Sequence, residues 1–171
     1  MNEIGSSEEN VKPVTPGTWE PVATRLFEAP DLRALYAIEE ACFEPAVRFS
    51  RSLMRSLAFS PDCRTWLGIL DGVRVGFAMV GLGTEDDPEL AYIWTIEVLP
   101  AFRRKGVARA LLACLEESAS IAACTEIELH VSERNADGHA LYEAAGYQRI
   151  GLEPEYYGRN EDAFRYRKIL N

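Results

Sequence analysis

The stretch from Val98 to Leu112, VLPAFRRKGVARALL, limits what this 171-residue chain can fold into more than any other. It joins the end of an apolar run to a proline, a basic turn with one glycine, and the start of an amphipathic helix. Upstream, Ala91 to Val98 is rich in β-branched and aromatic residues and stops before Pro100, the pattern of a buried strand. Downstream, Val107, Leu111 and Leu115 recur at helical spacing with Ala108, Leu112 and Ala119 beside them, so one stripe packs and the other side faces water. A helix that begins near Arg104 directs unpaired backbone N–H groups at the turn, and its dipole favours an anion there. Gly106 lets that backbone approach a ligand closely.

Charge sharpens this reading. Lys and Arg number 18 against 27 Asp and Glu, a net charge of −9. Such a balance argues against a nucleic-acid partner, which calls for a basic face to displace counterions. Arg103, Arg104, Lys105 and Arg109 are a local exception in an acidic chain and support an anionic ligand at that turn. An acidic surface elsewhere favours encounter with cations, amines included.

No apolar run approaches the length of a membrane span, and the amino terminus carries Glu3, Glu8 and Glu9 in place of a basic-then-apolar signal pattern. The expectation is a cytoplasmic protein with no membrane partner. Cys42, Cys63, Cys114 and Cys124 stand at scattered spacings, which suits reduced thiols better than disulfides, and no metal site is expected. Residues 1–20 mix Ser, Glu, Asn, Pro, Gly and Thr with little periodicity and read as a disordered tail; residues 21–171 read as one domain.

Within that domain the pattern predicts a strand over Val22 to Glu28, a helix through Leu32, Leu35, Ile38 and Cys42 with Asp31 as N-cap, and a short helix capped by Ser50. Strands follow over Arg64 to Leu70 and Val73 to Gly81, joined at Asp71-Gly72, a two-residue hairpin signal. An acidic loop from Thr84 to Glu89 leads to the strand ending at Val98. After the helix Val107 to Ser120 come a strand from Glu126 to Val131, a helix from Asp137 to Ala145 stopped by Gly146, and strands over Tyr147 to Gly151 and Ala163 to Ile169. The order is β-α-α-β-β-β-α-β-α-β-β.

Val98, Pro100, Arg103, Gly106 and Ala108 resemble the pyrophosphate-binding motif of the GNAT family of acetyl-coenzyme A-dependent N-acetyltransferases, Arg/Gln-x-x-Gly-x-Gly/Ala after a strand ending in Val-x-Pro. Ala108 fills a slot more often held by Gly. Asn135 with Leu141-Tyr142 and Gly146-Tyr147 is similar to the family's Asn-x-x-Ala-x-x-Leu-Tyr-x-x-x-Gly-Phe segment, with Gly138 where Ala is usual. Tyr156-Tyr157 and Glu161-Asp162-Ala163 resemble the tail of bacterial ribosomal-protein alanine N-terminal acetyltransferases and their eukaryotic relatives. The resemblance runs from about Arg25 to the end. It implies an α/β GNAT fold, a mixed, mostly antiparallel central sheet flanked by helices, and acetyl-CoA as co-substrate without a metal.

The resemblance also assigns roles. Backbone groups of Ile96, Glu97 and Val98 would hold the acetyl carbonyl and the coenzyme arm, and Arg103, Arg104, Lys105, Gly106, Val107 and Ala108 the pyrophosphate, with Asn135 bonded to the same coenzyme. Tyr142 matches the tyrosine that protonates the leaving thiolate. Strand parity turns Ile127, Leu129 and Val131 one way and Glu128 and His130 the other, so His130 looks into a cleft or into water. Some eukaryotic N-terminal acetyltransferases place His there, paired with a Tyr at the position of Tyr92, which makes His130 and Tyr92 the candidate base. Glu97, expected on the face opposite Tyr92 and Trp94, is the alternative. Phe43, Tyr156 and Tyr157 match residues lining the acceptor.

Titration favours one acceptor class. At pH 7 a peptide α-amine with pKa near 7.7 to 8 costs about 1 to 1.4 kcal/mol to deprotonate, whereas lysine near 10.4 costs about 4.6. A histidine base suits the former. With this preference, the resemblance implies a protein N-terminus as acceptor, such as that of a ribosomal protein, and a monomer or homodimer is expected. Acetylation of a small amine (a polyamine, amino acid or antibiotic) and a non-catalytic acyl-CoA sensor are the alternatives.

Overall fold

A computed structural model describes residues 21–83 and 87–170. The expected tail over residues 1–20 and the centre of the acidic loop lie outside the described residues. Seven strands form one sheet, flanked by four helices in the predicted order: β1 (Ala23–Leu26), α1 (Leu32–Cys42), α2 (Arg51–Ala58), β2 (Cys63–Leu70), β3 (Val73–Leu82), β4 (Leu90–Val98), α3 (Val107–Ile121), β5 (Glu126–Ser132), α4 (Ala136–Ala144), β6 (Gln148–Gly158) and β7 (Glu161–Ile169). The sheet runs β1-β2-β3-β4-β5-β7-β6. Among the described residues only β4 and β5 pair in parallel, and α3 makes the crossover between them.

Two apolar clusters sandwich the sheet. On one side Val107, Leu111, Leu112 and Leu115 of α3 pack with Val75, Ala78, Val80 and Ile93 of β3 and β4, and Tyr142 of α4 joins Ile127, Leu129 and Val131 of β5. Full burial of each such aliphatic side chain is worth about 1.5–3 kcal/mol. On the other side Leu35 and Ile38 of α1 and Met54 of α2 cover Leu67, Phe77 and Met79. The start of α3 presses hard on the sheet: a Cβ on Gly68 would lie 2.7 Å and one on Gly76 3.3 Å from Val107 Cγ1. Two glycines thus let Val107, at the start of α3, sit close on β2 and β3.

Asp71 and Gly72 both adopt positive φ, 51° and 76°, as a two-residue hairpin demands. Ser50 caps α2 through Leu53 N at 3.2 Å. Asp31 departs from expectation. Its carboxylate makes no cap bond to α1 and instead accepts Arg25 Nη1 and Nη2 at 2.7 and 2.8 Å, Arg74 Nε at 2.7 Å and Glu28 N at 2.9 Å. Two arginines converging from β1 and β3 offer a buried carboxylate stronger partners than a helix N–H. All four cysteines are free. Among the described residues no helix is long and apolar enough to cross a membrane, and no cluster of His, Cys, Asp and Glu could hold a metal.

Candidate active site

The site is a crotch in the sheet. β4 and β5 pair only from Leu90 to Tyr92 and from Glu126 to Glu128. Beyond that point β5 continues along β7 to Ser132, while β4 continues along β3 to Val98, so the two strands part and leave the β5-facing edge of β4 without a strand partner. Its free peptide groups there can bond an extended ligand. Tyr92 is the last paired residue of β4, and His130 lies two residues past the last paired residue of β5.

At the crotch Tyr92 Oη lies 2.9 Å from His130 Nδ1 and 2.9 Å from Tyr156 Oη. The His130 and Tyr156 rings stack at 4.3 Å with 8° between planes. Tyr157 Oη donates to the His130 carbonyl at 3.1 Å. Tyr156 and Tyr157 reach this position because the β6–β7 pairing skips from Glu153 to Gly158, so the intervening residues stand off the ladder. The predicted strand over Tyr147 to Gly151 is accordingly longer than expected, running to Gly158.

Partial burial lowers the His130 pKa below its ordinary 6.5; Arg165 pushes the same way, and Glu153 and Glu128 oppose. The ring is therefore neutral at pH 7. Burial, with Tyr156 beside it, raises the Tyr92 hydroxyl, which keeps its proton. If Nδ1–H donates to Tyr92 and Tyr92 donates to Tyr156, Nε2 carries the free lone pair; among the described residues Nε2 has no hydrogen-bond partner. Glu128, next to His130 on the same face, is occupied by Arg167.

Tyr142 comes from the opposite layer. It sits on α4, buried against Tyr147 at 5.5 Å and Tyr166 at 6.4 Å. Burial raises its hydroxyl pKa, and Tyr157 is near enough to add to the effect. Its hydroxyl has no hydrogen-bond partner among the described residues, so it is protonated and available. Asn135, expected to bond a ligand, caps α4: its Oδ1 accepts Gly138 N at 2.9 Å. A Cβ on Gly138 would lie 2.8 Å from Asn135 Nδ2 and 2.9 Å from Val131 Cγ2, so the glycine that departs from the family pattern is what lets the asparagine fold back.

The basic turn lies at the far end of β4. Gly106 holds φ +84° and precedes the first residue of α3, which has no side-chain cap. The leading N–H groups of this 15-residue helix are thus free. Arg103 Nε donates to the Val98 carbonyl at 3.2 Å, joining the turn to β4. Arg104 makes a long, exposed pair with Asp137 at 3.4 Å, and Lys105 lies 5.0 Å from the Phe102 ring. A Cβ on Gly106 would have nothing within 4 Å, so space is open at the bend. Free N–H groups, positive side chains and open space fit a pyrophosphate.

Glu97 requires a correction. Met79 pairs with Thr95 and Val80 with Ile93, which leaves Trp94 without a partner as a β-bulge. One extra residue reverses the alternation, so Thr95 and Glu97 share the face of Tyr92 instead of opposing it. Glu97 is 2% exposed and packed against Glu39, and burial plus that neighbour raise its pKa. A carboxyl that keeps its proton is a poor base. Trp94, 40% exposed and edge-on to Tyr92 at 5.2 Å, lies on the face of Tyr92 as expected, although the sequence assigned it no role. Its signal is Gly81, where a Cβ would lie 3.0 Å from Trp94 Nε1. Phe43 caps the end of α1, and its ring makes no ring contact with Tyr156 or Tyr157 among the described residues.

The parted β4/β5 pair, the bulge in β4 and the uncapped helix opening at a basic glycine turn lie in a chain whose residues 32–147 match the model of the acetyltransferase (GNAT) family. The chain belongs to this family. Its relatives carry names with different acceptors. It is 32% identical over 165 residues to an uncharacterized protein of Mycobacterium leprae, covering 93% of this chain and 44% of that one. It is 27% identical over 89 residues to an aminoglycoside N(6')-acetyltransferase type 1 of Salmonella typhimurium, covering 49% and 61%. The chain thus spans about half the length of these curated relatives. Among solved structures, the ribosomal-protein-S18-alanine N-acetyltransferase of Escherichia coli superposes with a TM-score of 0.77 at 25% identity, over 88% of this chain and 95% of that one.

Proposed function

We propose that this protein transfers an acetyl group from acetyl-CoA to the α-amine of a protein N-terminus. The observation that carries the reading is the Tyr92–His130–Tyr156 chain at the crotch: a neutral imidazole, oriented at Nδ1 and open at Nε2. Acetyl-CoA supplies the activated thioester. The N–H groups at the start of α3 with Arg103, Arg104 and Lys105 hold its pyrophosphate, and the free edge of β4 around Ile96, Glu97 and Val98 bonds its arm and the acetyl oxygen.

His130, directly or through a water held at Tyr92, takes the proton from the acceptor amine. Tyr142, the unengaged acid on the other face, donates to the departing thiolate. The rims suit an extended peptide: Trp94, Tyr156 and Tyr157 are exposed aromatics grouped at the crotch, and Phe43 stands on the neighbouring loop. The similarity to a ribosomal-protein alanine acetyltransferase points the same way.

A small-amine acceptor is the second reading, favoured by the net charge of −9 and by the aminoglycoside-acetylating relative. Thiol release from acetyl-CoA with a panel of short peptides, spermidine, free lysine and an aminoglycoside separates the two. Turnover with peptides carrying free amino termini is expected. Turnover confined to the small amines would overturn the proposed acceptor, and binding of acetyl-CoA with no turnover would favour a sensor.

A further inference from the structure

Two carboxyl groups meet inside the apolar layer beneath α1. Glu39 is 3% and Glu97 2% exposed, among Leu35, Ile38, Phe77 and Met79. One oxygen of each has a partner: Phe49 N donates to Glu39 Oε1 at 2.6 Å, and Thr95 Oγ1 donates to Glu97 Oε1 at 2.9 Å. The other oxygens, Glu39 Oε2 and Glu97 Oε2, are fully buried and find no N–H or O–H donor. Glu39 is the neighbour that, after burial, raises the Glu97 carboxyl, so the two groups stand side by side. Two bare carboxylates would repel strongly in such a place, whereas one proton between them satisfies both orphaned oxygens.

We infer that Glu39 and Glu97 share a single proton, and that this hydrogen bond fastens the loop between α1 and α2 to the bulged part of β4, making both glutamates positioning residues for the acceptor. The links run in series. Phe49, just before α2, is held by Glu39; Glu39 is held by Glu97; Glu97 is held by Thr95, the residue after the bulge at Trp94. Elsewhere the loop bonds mainly to itself and to α1, through Val47 N to Glu44, Arg48 Nε to Phe43 and Arg48 Nη2 to Glu40. The pair therefore couples the two walls on the acceptor side, the loop bearing Phe43 and the strand bearing Tyr92 and Trp94.

Other groups facing the pair do not replace the proton. From α1, Cys42 feels both glutamates but spends its S–H on the Val98 carbonyl, 3.4 Å away. Arg103, near Cys42, is turned to that same carbonyl at 3.2 Å. Thr95 from β4 already donates to the other oxygen of Glu97. Burial and the neighbouring Glu39 hold the Glu97 carboxyl well above its ordinary range, so the proton stays at neutral pH. It leaves on the alkaline side, where two buried negative charges would push the loop off the strand.

The positioning role rests on the proposed acceptor side, so the test has one arm that does not. Infrared difference spectra of the full chain at neutral pH should show the C=O stretch of a buried carboxylic acid, absent in Glu97→Gln and shifted in frequency in Glu39→Gln, where burial still holds the Glu97 proton but its hydrogen-bond acceptor has changed. Amide hydrogen exchange at Phe49 should be about two- to tenfold faster in Glu97→Ala, the weight of one lost hydrogen bond. In steady-state kinetics with the best amine, Glu97→Ala should raise the acceptor KM about tenfold with kcat changed less. Glu97→Gln, whose amide can donate to Glu39, should recover most of that loss at pH 7 and flatten the alkaline rise in KM. Absence of the carboxylic-acid band in the wild-type protein would overturn the shared proton. Unchanged exchange at Phe49, or a fall in kcat with KM constant, would overturn the fastening. If no amine is turned over, the proposed function fails, and the infrared and exchange results still decide this inference.

Discussion

Tyr92→Phe removes one oxygen and leaves the ring, its packing against Trp94 and the backbone in place. That oxygen makes two hydrogen bonds, to His130 Nδ1 and to Tyr156 Oη, each 2.9 Å long. At about 0.5–1.5 kcal/mol each, their loss is worth about 1–3 kcal/mol in orienting the imidazole. If all of it is felt in the transition state, kcat/KM falls roughly 5- to 150-fold. His130→Ala removes the base itself and should cost about 10²- to 10⁴-fold. Because Tyr92 acts through His130, the double variant should be no slower than His130→Ala alone. The assay is initial thiol release at saturating acetyl-CoA and limiting acceptor. Its pH dependence supplies a second check: the imidazole must be neutral to work, so kcat/KM should fall as pH drops through a midpoint below 6.5, and this limb should vanish in His130→Ala. Single-variant factors that multiply in the double variant would refute the chain of dependence.

Gly106→Ala places a side chain at φ +84° with open space around it, so its cost is backbone strain of about 1–2 kcal/mol rather than a clash. Chemical denaturation should show that loss, and the KM for acetyl-CoA should rise while the acceptor KM holds. Asp31→Ala leaves Arg25, Arg74 and Glu28 N without their shared acceptor; since both arginines are partly exposed and can rehydrate, the loss should sit near the lower end for a broken buried pair, about 3 kcal/mol in a urea melt. The arginines hold the Asp31 carboxyl below its ordinary range, so its contribution is complete above the unfolded carboxyl's pKa and fades as pH falls through and below that value. In Asp31→Ala this acid-side decline should be shallower.

The strand, basic turn and helix from Ala91 to Ile121 were legible because apolar spacing and one glycine specify them locally. The same holds for Asp71-Gly72, where the turn type and the residues agree. His130 could be found because parity along the short strand β5 is unbroken. β4 defeats that argument: Tyr92, Ile93, Trp94 and Thr95 give no sign of which residue the register will skip, since the bulge is decided by pairing with β3. The error over the Glu97 face follows from that single residue. The Glu39–Glu97 contact is equally invisible, because two glutamates on a helix and a distant strand read as solvated charges until the fold buries them. Tyr156 and Tyr157 were noticed by resemblance, yet the stacking of Tyr156 on His130 and the hydrogen bond from Tyr157 to the His130 carbonyl depend on residues standing off the β6–β7 ladder, which Pro154 and Gly158 only hint at.

The central claim is met most directly by one peptide that carries both a free amino terminus and an internal lysine. After reaction with acetyl-CoA at pH 7, fragmentation by mass spectrometry locates the acetyl group. A neutral histidine base at the crotch predicts acetylation of the α-amine, lost in His130→Ala. Acetyl on the lysine Nζ, or α-acetylation undiminished without His130, would contradict it.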